Sequence, residues 1–504
     1  MASEAPTDEQ SAPLSLLDLP DACLLAVLQC CAADSQSSLF SAARAHSRLH
    51  QAALRALSRI TVHVYHQQQL DRVLLYLSKH GQHVGHLKLK AEWLVSISMA
   101  AVLRELPPSL QLSSLEIEGE FVVQLRPGHG FRGVLGSAAA AAALKELRLC
   151  KCKLFDDNTG LAQALALLPG LQHLSIDTVR VGYIDSDRSD QQTCLPGATL
   201  QWLQQLTYLE LGGLVLTDTG AALALQPLQA LTRLVDLRIQ PYRDLSLTAS
   251  MLSGTSNLTR LELYRCSIES AVLAGKTQLL HLELSRCMPT EGAAGVAQLL
   301  SHLQPMQQLT ELHLDHCLQA VEAGTTPATA YSALTASSKL QQLNLRDNTL
   351  PAGVWQHAFP AGRQLPHLCV LYIDGVREPG GNYAPSPDGS SLASCCPSLQ
   401  HLDMSELQYH TQLLAPLQGL SGLRTLLFDG AGSTGEGLEA VLQMTGLTDL
   451  TMVAPEPAEG LLLQLTQLKL LEHLDYYYQC SDGHRGNVYL FNKVGCMGFP
   501  HRKQ

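Results

Sequence analysis

The sequence predicts an α/β solenoid, with a curved parallel sheet inside, helices and loops outside, and a small all-α segment in front. Three observations carry this expectation. A nine-residue apolar frame returns along most of the chain, helical patterns fill several of the intervals, and an apolar helix pattern near the start lies outside the frame.

From Leu258 the chain reads LTRLELYRC, then LLHLELSRC from Leu279, LTELHLDHC from Leu309 and LQQLNLRDN from Leu340. The shared pattern, L-x-x-L-x-L-x-x-[C/N], is the leucine-rich-repeat signature. Its first position falls at Val84, Leu112, Leu144, Leu171, Leu206, Leu234, Leu258, Leu279, Leu309, Leu340, Leu368, Leu399, Leu423, Leu447 and Leu471, at intervals of 21 to 35 residues. Alternation in L-x-L turns the leucines inward and the residues between them outward, as on a half-buried strand. Helical patterns at Asp218–Leu231 and Glu291–Leu303 would cover the leucines from the other side, and Ser137–Leu144 reads as an alanine-rich helix. One unit cannot bury its own core, so the units must stack. At the ninth position stand Cys152, Cys266, Cys287, Cys317 and Asn348, where a small polar side chain can bond backbone left unpaired by the turn. Val179, Leu214 and Val376 fill the same place elsewhere. The cysteine preference resembles the cysteine-containing class of leucine-rich repeats. Two polar, turn-rich insertions, Gly182–Leu200 and Arg377–Ser391, should leave the array on one side.

Of 504 residues, 46% are hydrophobic and 16% charged, and the sequence holds no apolar run long enough to span a bilayer. A net charge of -11 argues against nucleic acid and leaves a basic partner open. The start, with Glu4, Asp8 and Glu9 before an apolar run broken by Asp18 and Asp21, does not read as a secretion signal. The chain is therefore expected to be cytoplasmic, with nuclear, cytoskeletal or ciliary placement left open, and its fourteen cysteines to be reduced thiols.

Several motifs imitate chemistry. SAVLAGKT (Ser270–Thr277) mimics a phosphate loop, but lacks the first glycine and runs straight into a strand frame. His80, His83 and His86 have metal-like spacing, yet no cysteine or carboxylate stands at ligand distance along the chain. Asn257–Thr259 is a formal glycosylation triplet. No catalytic constellation, cofactor site or metal site is expected, and the chain reads as a non-enzyme.

The opening stretch LLDLPDACLLAVLQCC is followed by Ser37–Leu57, with Leu39, Ala42, Ala43, His46, Leu49, Ala53 and Leu57 at helical spacing. This N-terminus resembles an F-box at Leu19, Pro20, Asp21, Leu24, Leu25, Val27, Leu28, Leu39, Ala43, Arg44 and Leu49. It departs from that pattern in carrying Leu49 where the family has an aromatic residue and Ala43-Arg44 in place of Val-Cys. F-box followed by cysteine-type repeats is similar to the F-box/leucine-rich-repeat family. That resemblance implies a substrate-recognition subunit of a Skp–cullin–F-box ubiquitin ligase. A Skp-type adaptor with its cullin complex would dock on Leu19, Pro20, Asp21, Leu24, Leu25, Val27, Leu28, Leu39 and Leu49, and the repeats would hold substrate. Two alternatives stay open: plain helices capping the first repeat, and a repeat scaffold with no role in ubiquitin transfer.

The expected organisation is a disordered start at 1–13, the helical segment at 14–60, a linker or cap at 61–83, about fifteen repeats over 84–480, and a tail or cap at 481–504. Residues at the third, fifth and seventh places of the frame face the predicted concavity. There fifteen acidic residues stand against six basic ones, Lys88, Lys90, Arg148, Arg238, Arg260 and Arg346. The expected partner-binding residues are Tyr208, Glu210, Arg260, Glu262, Tyr264, Glu283, Glu311, Asp315, Tyr372, Asp374 and Asp403. Acid with aromatic anchors suits a basic protein segment.

Overall fold

The computed structural model describes residues 19–34, 41, 45–56, 58–91, 101–119, 121–124, 134–135, 137–155, 165–177, 180–181, 197–213, 225–241, 245–319, 326–384, 387–407, 414–429, 435–454, 465, 467–479 and 485–491. The chain divides into two compact units, Met1–Cys194 and Leu195–Gln504.

In the first unit the parallel strands Arg59–Val64, His86–Ala91, Ser114–Glu118, Glu146–Cys150 and His173–Asp177 pair in chain order. The second unit repeats the arrangement with Tyr208–Gly212, Asp236–Gln240, Arg260–Tyr264, His281–Ser285, Glu311–His313 and Gln342–Asn344. It continues through Val370–Tyr372, His401–Asp403, Thr425–Asp429, Asp449–Ala454 and His473–Gln479. The last of these also pairs with an antiparallel strand, Arg485–Phe491. All fifteen strands expected from the leucine frame begin two residues after its first position. Register aligns the leucines in rows: Leu261 stands beside Leu282, Leu282 beside Leu312, and Leu312 beside Leu343. Leu261, Leu263, Leu282 and Leu284 are fully buried, so the inward direction read from L-x-L is the observed one.

Residues 61–83, read as a linker or cap, hold most of the strand Arg59–Val64 and the helix Gln67–His80, which buries Leu70 and Leu77. The outer segments differ in helical content with the length of the interval they fill. Within Asp218–Leu231 the structure describes a 3-10 turn at Gln226–Ala230, and residues 218–224 lie outside the described residues. Among the described residues, the helical segments of the 24- and 21-residue intervals from Leu234 and Leu258 are the four-residue 3-10 turns Ala249–Leu252 and Ser270–Leu273. The 30-residue interval from Leu279 leaves room for a full α-helix, Gly292–Leu303, with Val296, Leu299, Leu300 and Leu303 on its buried side. Ser137 caps the alanine helix Ala138–Ala143 by accepting from Ala140 N.

After nine of the fifteen frame strands the eighth position takes a left-handed conformation as the chain turns. Lys151, Arg265, Arg286, His316, Asp347 and Glu406 have φ between 52° and 59° although none is glycine. Gly119, Gly213 and Gly375 occupy the same place. At Gly375 a Cβ would come within 2.4 Å of Asp347 Oδ1, so this turn requires glycine for space as well as for φ. Short parallel strands follow some turns, as in Leu245–Leu247, Cys266–Ile268 and Met288–Pro289.

The insertion Gly182–Leu200 lies largely outside the described residues. The other insertion folds back on itself rather than leaving the array. Arg377 bridges Thr349 and Tyr383, Gly380 and Gly381 make the reversal, and Asp388 caps the helix Gly389–Cys395.

Candidate partner-binding face

On the polar face of the second unit, the fifth-place column runs Glu210, Arg238, Glu262, Glu283, His313, Asn344, Tyr372 and Asp403 in adjacent register. Of the predicted partner-binding residues, Tyr208, Glu210, Arg260, Glu262, Tyr264, Glu283, Glu311, Asp315, Tyr372 and Asp374 are half-buried, and Asp403 is buried. They therefore form one polar strip along the ladder and not isolated surface charges.

Each of the six basic residues is met by a carboxylate. Lys88 lies 2.7 Å from Glu116 and 2.9 Å from Glu118, Lys90 lies 3.5 Å from Glu118, and Arg148 lies 2.7 Å from Glu146. Arg238 and Arg260 interleave with Asp236 and Glu262 at 2.8 to 3.7 Å. Arg346 reaches Asp374 at 2.5 Å and also pairs with Asp403. Aromatic rings support the guanidiniums: Arg238 lies over Tyr208 at 5.4 Å and Arg346 over Tyr372 at 4.3 Å. Burial pushes the Asp374 carboxyl up to about 6, and the Asp403 charge adds to this against the pull of Arg346.

The imidazoles were not singled out from the sequence, yet they sit in the middle of this strip. His281 is 7% exposed, with Nδ1 2.5 Å from Glu311 Oε2 and Nε2 turned toward Glu262 and Glu283. His313 lies beside it with ring centroids 5.6 Å apart, and burial lowers its pKa. The only sequence signal was their position in the polar columns, because the carboxylates around His281 come from three different strands.

The imitation motifs resolve into structural parts. Ser270 is buried and donates through both N and Oγ to Glu291, at 3.1 and 3.2 Å. Lys276 is 3% exposed and donates from Nζ to Leu252 O at 2.8 Å and Thr255 Oγ1 at 3.2 Å, and burial pushes its pKa down to about 8. His80, His83 and His86 fall on a helix end, a 3-10 turn and a strand start. Among the described residues, the group of potential metal ligands that converges is instead Glu262, His281 and Glu283.

Of the predicted adaptor-binding residues, Pro20, Asp21 and Val27 are exposed, Leu19 and Leu25 are half-buried, and Leu24, Leu28 and Leu49 are buried. Leu39, like Ala43 and Arg44, lies outside the described residues. The helices Asp21–Asp34 and Ser47–Ala56 pack on one another, and Arg48 ties their ends together by donating to Asp21 Oδ1 at 2.7 Å and Leu19 O at 2.8 Å. The second helix also touches the turn Gly81–His83.

Behind the strip, the ninth-position side chains do what the frame demands of them. Asn348 is 1% exposed; its Oδ1 accepts from Cys317 N and Leu318 N at 2.9 and 2.7 Å. Its Nδ2 donates to Leu314 O and Leu345 O at 2.7 and 2.8 Å. Cys317 and Cys287 point their Sγ at Cys287 O and Leu263 O of the preceding repeats, at 2.8 and 3.3 Å. Frame, ladder and turn thus agree along the chain. The fold is a leucine-rich-repeat solenoid.

Solved leucine-rich-repeat structures resemble this one at low identity. The ectodomain of the plant membrane receptor kinase GASSHO1/SCHENGEN3 from Arabidopsis thaliana is 16% identical over 79% of this chain and 44% of its own, with a TM-score of 0.45. The functional domain of InlJ from Listeria monocytogenes is 17% identical over 67% of this chain and 59% of its own, with a TM-score of 0.39. TLR13, in its complex with ssRNA13, is 16% identical over 84% of this chain and 64% of its own, with a TM-score of 0.44. The repeat chain thus spans less than two thirds of each of these three. No family model and no curated protein matches the sequence.

Proposed function

We propose that this repeat chain is a non-enzymatic recognition subunit that holds a basic protein segment on the polar face of its ladder. The observation that carries the reading is the ion-pair pattern. In the second unit the three basic residues Arg238, Arg260 and Arg346, each already met by a carboxylate, cannot neutralise the ten described acids of the same ladder, so negative potential remains for a partner. Tyr208, Tyr264 and Tyr372, half-buried in the strip, supply rigid apolar surface beside that charge. Binding should weaken as salt rises. Changing Glu210, Asp315 and Asp449 to Lys leaves every ladder leucine in place and should weaken capture of a basic partner by roughly tenfold or more. A partner indifferent to both salt and charge reversal would place recognition elsewhere on the chain.

The finer reading is that the N-terminal helices dock a Skp-type adaptor, so that the repeats present substrate to a cullin–RING ubiquitin ligase. Exposed Pro20, Asp21 and Val27 on a helix pair tied by Arg48 support it. Favouring the other reading, a scaffold whose helices cap the array, are the burial of Leu24, Leu28 and Leu49 and the contact with Gly81–His83. A pull-down of the full chain, read for Skp and cullin subunits, separates the two. Under the ligase reading Val27→Asp abolishes capture without altering the fold, whereas under the capping reading neither protein captures an adaptor.

A further inference from the structure

His281 is the one imidazole in the strip that is both nine-tenths buried and surrounded by three carboxylates. The Arg260–Tyr264, His281–Ser285 and Glu311–His313 strands lie side by side, and their register sets His281 between Arg260 and Glu311 at the third place. Glu262 and Glu283 stand next to one another at the fifth place. Glu311 Oε2 lies 2.5 Å from His281 Nδ1, so that nitrogen carries the proton and donates it to a carboxylate. In the neutral ring the other nitrogen, Nε2, carries a lone pair. It is buried and makes no hydrogen bond within the chain.

That lone pair points at oxygen. Glu262 Oε1 lies 3.4 Å away and Glu283 Oε2 3.8 Å away, and the three ligand atoms all fall within 4.8 Å of one another. Two acceptors facing a lone pair repel it, and these separations are long for hydrogen bonds. They suit a different occupant. Two ligands each about 2.1 Å from a tetrahedral ion stand roughly 3.4 Å apart. The surroundings also favour a dication. Glu262, Glu283 and Glu311 carry three negative charges; Arg260, which donates to Glu262 Oε1 at 2.8 Å, and Arg238, 3.6 Å from Glu262 Oε2, return two positive charges and leave the cluster net negative. Ser285 donates to Glu283 Oε1 at 2.9 Å, which leaves Oε2 of that carboxylate turned toward His281.

We propose that Glu262, His281 and Glu283 form a binding site for a divalent first-row transition cation of the zinc type, with Glu311 orienting the imidazole. An imidazole and two carboxylates make a nitrogen–oxygen ligand set that suits zinc and disfavours the soft monovalent metals held by thiolates. A carboxylate on the far ring nitrogen is the arrangement that fixes the tautomer and raises the basicity of a metal-bound histidine. Glu262 and Glu283 remain 22% and 35% exposed, so the fourth coordination position faces solvent on the partner-binding side.

The test uses the full chain, stripped with chelator and without any partner, so its result does not depend on the proposed recognition function. Titration with zinc, read by calorimetry, is compared among the native chain, His281→Ala, Glu283→Gln and Glu311→Gln. Cobalt is the second probe. At this nitrogen–oxygen site it gives weak visible bands of low-coordinate geometry without the intense near-ultraviolet absorption of thiolate ligation. The native chain should bind one equivalent that His281→Ala and Glu283→Gln each lose. Glu311→Gln should retain the equivalent with affinity lowered by about 10- to 100-fold. Should His281→Ala fail to fold, Glu283→Gln alone decides. Zinc stoichiometry unchanged in these variants, a cobalt spectrum dominated by thiolate, or no binding to the native chain would each overturn the site.

Discussion

Arg346 and Lys276 hold buried or half-buried positive charge in opposite ways. Arg346 lies between Asp374 and Asp403 beneath Tyr372, so two carboxylates and a ring face meet a charge that never titrates. Lys276 has no carboxylate within ion-pair distance among the described groups; it is held by the Leu252 carbonyl and the Thr255 hydroxyl. The guanidinium keeps its proton and pulls on acids. The ammonium is pushed toward giving its proton up. His281 stands between these extremes, with carboxylates on every side and one nitrogen unbonded. The repeat array thus tolerates buried basic groups in three degrees of neutralisation, and the degree sets which one responds to pH, to salt or to metal.

Removing the best-neutralised charge should cost the most. Arg346→Met leaves Asp403, 3% exposed, beside Asp374 with no cation between them. Breaking a buried pair costs about 3–5 kcal/mol, and the 37% exposure of the Arg346 side chain puts this case near 3 kcal/mol. Urea denaturation at pH 7 measures it, and a loss under about 1 kcal/mol would mean that water already screens the cluster.

Lys276 should show itself through pH. Its pKa is about 8 in the folded chain against 10.5 for a free side chain, so between those values the unfolded state holds more protons. Stability then rises with pH, by about 2 kcal/mol from pH 8 to 10, and Lys276→Met should remove that rise. Parallel pH profiles for the two chains would instead show that the ammonium is solvated in the folded state.

These contrasts also mark what the sequence discloses. The strand starts were readable because burial of leucine is a one-dimensional demand: every L-x-L pair must turn to the core, whatever its neighbours are. Asn348 and the ninth-position cysteines were readable for the same reason, since the turn leaves backbone groups that a small polar side chain must meet. The left-handed residues at the eighth position were not. Lys151 and Arg265 have no local preference for that conformation; the next strand holds their amides, which donate to Asp177 O and Ser285 O at 2.9 Å each. The strand Arg59–Val64 was missed because Ile60 and Val62 carry its frame in place of leucines. His281 was missed because its environment is non-local. Glu262, Glu283 and Glu311 stood in the acidic columns, but only register brings them around one imidazole.

His281 itself should matter least to the metal-free fold. In His281→Gln the carboxamide N–H can replace the ring N–H toward Glu311, while Arg260 and Ser285 still donate to Glu262 and Glu283. With chelator present the substitution should therefore cost about 1 kcal/mol or less, the size of one exchanged hydrogen bond. Excess zinc should separate the proteins. A ligand at a hundred times its dissociation constant stabilises the state that binds it by about 2.7 kcal/mol, so the native chain should melt higher with zinc and His281→Gln should not. Arg346→Met keeps the His281 cluster whole and should show the full zinc response from its lower starting point. A zinc response lost equally in both variants would mean that the two clusters act as one cooperative strip, and the contrast between them would have to be abandoned.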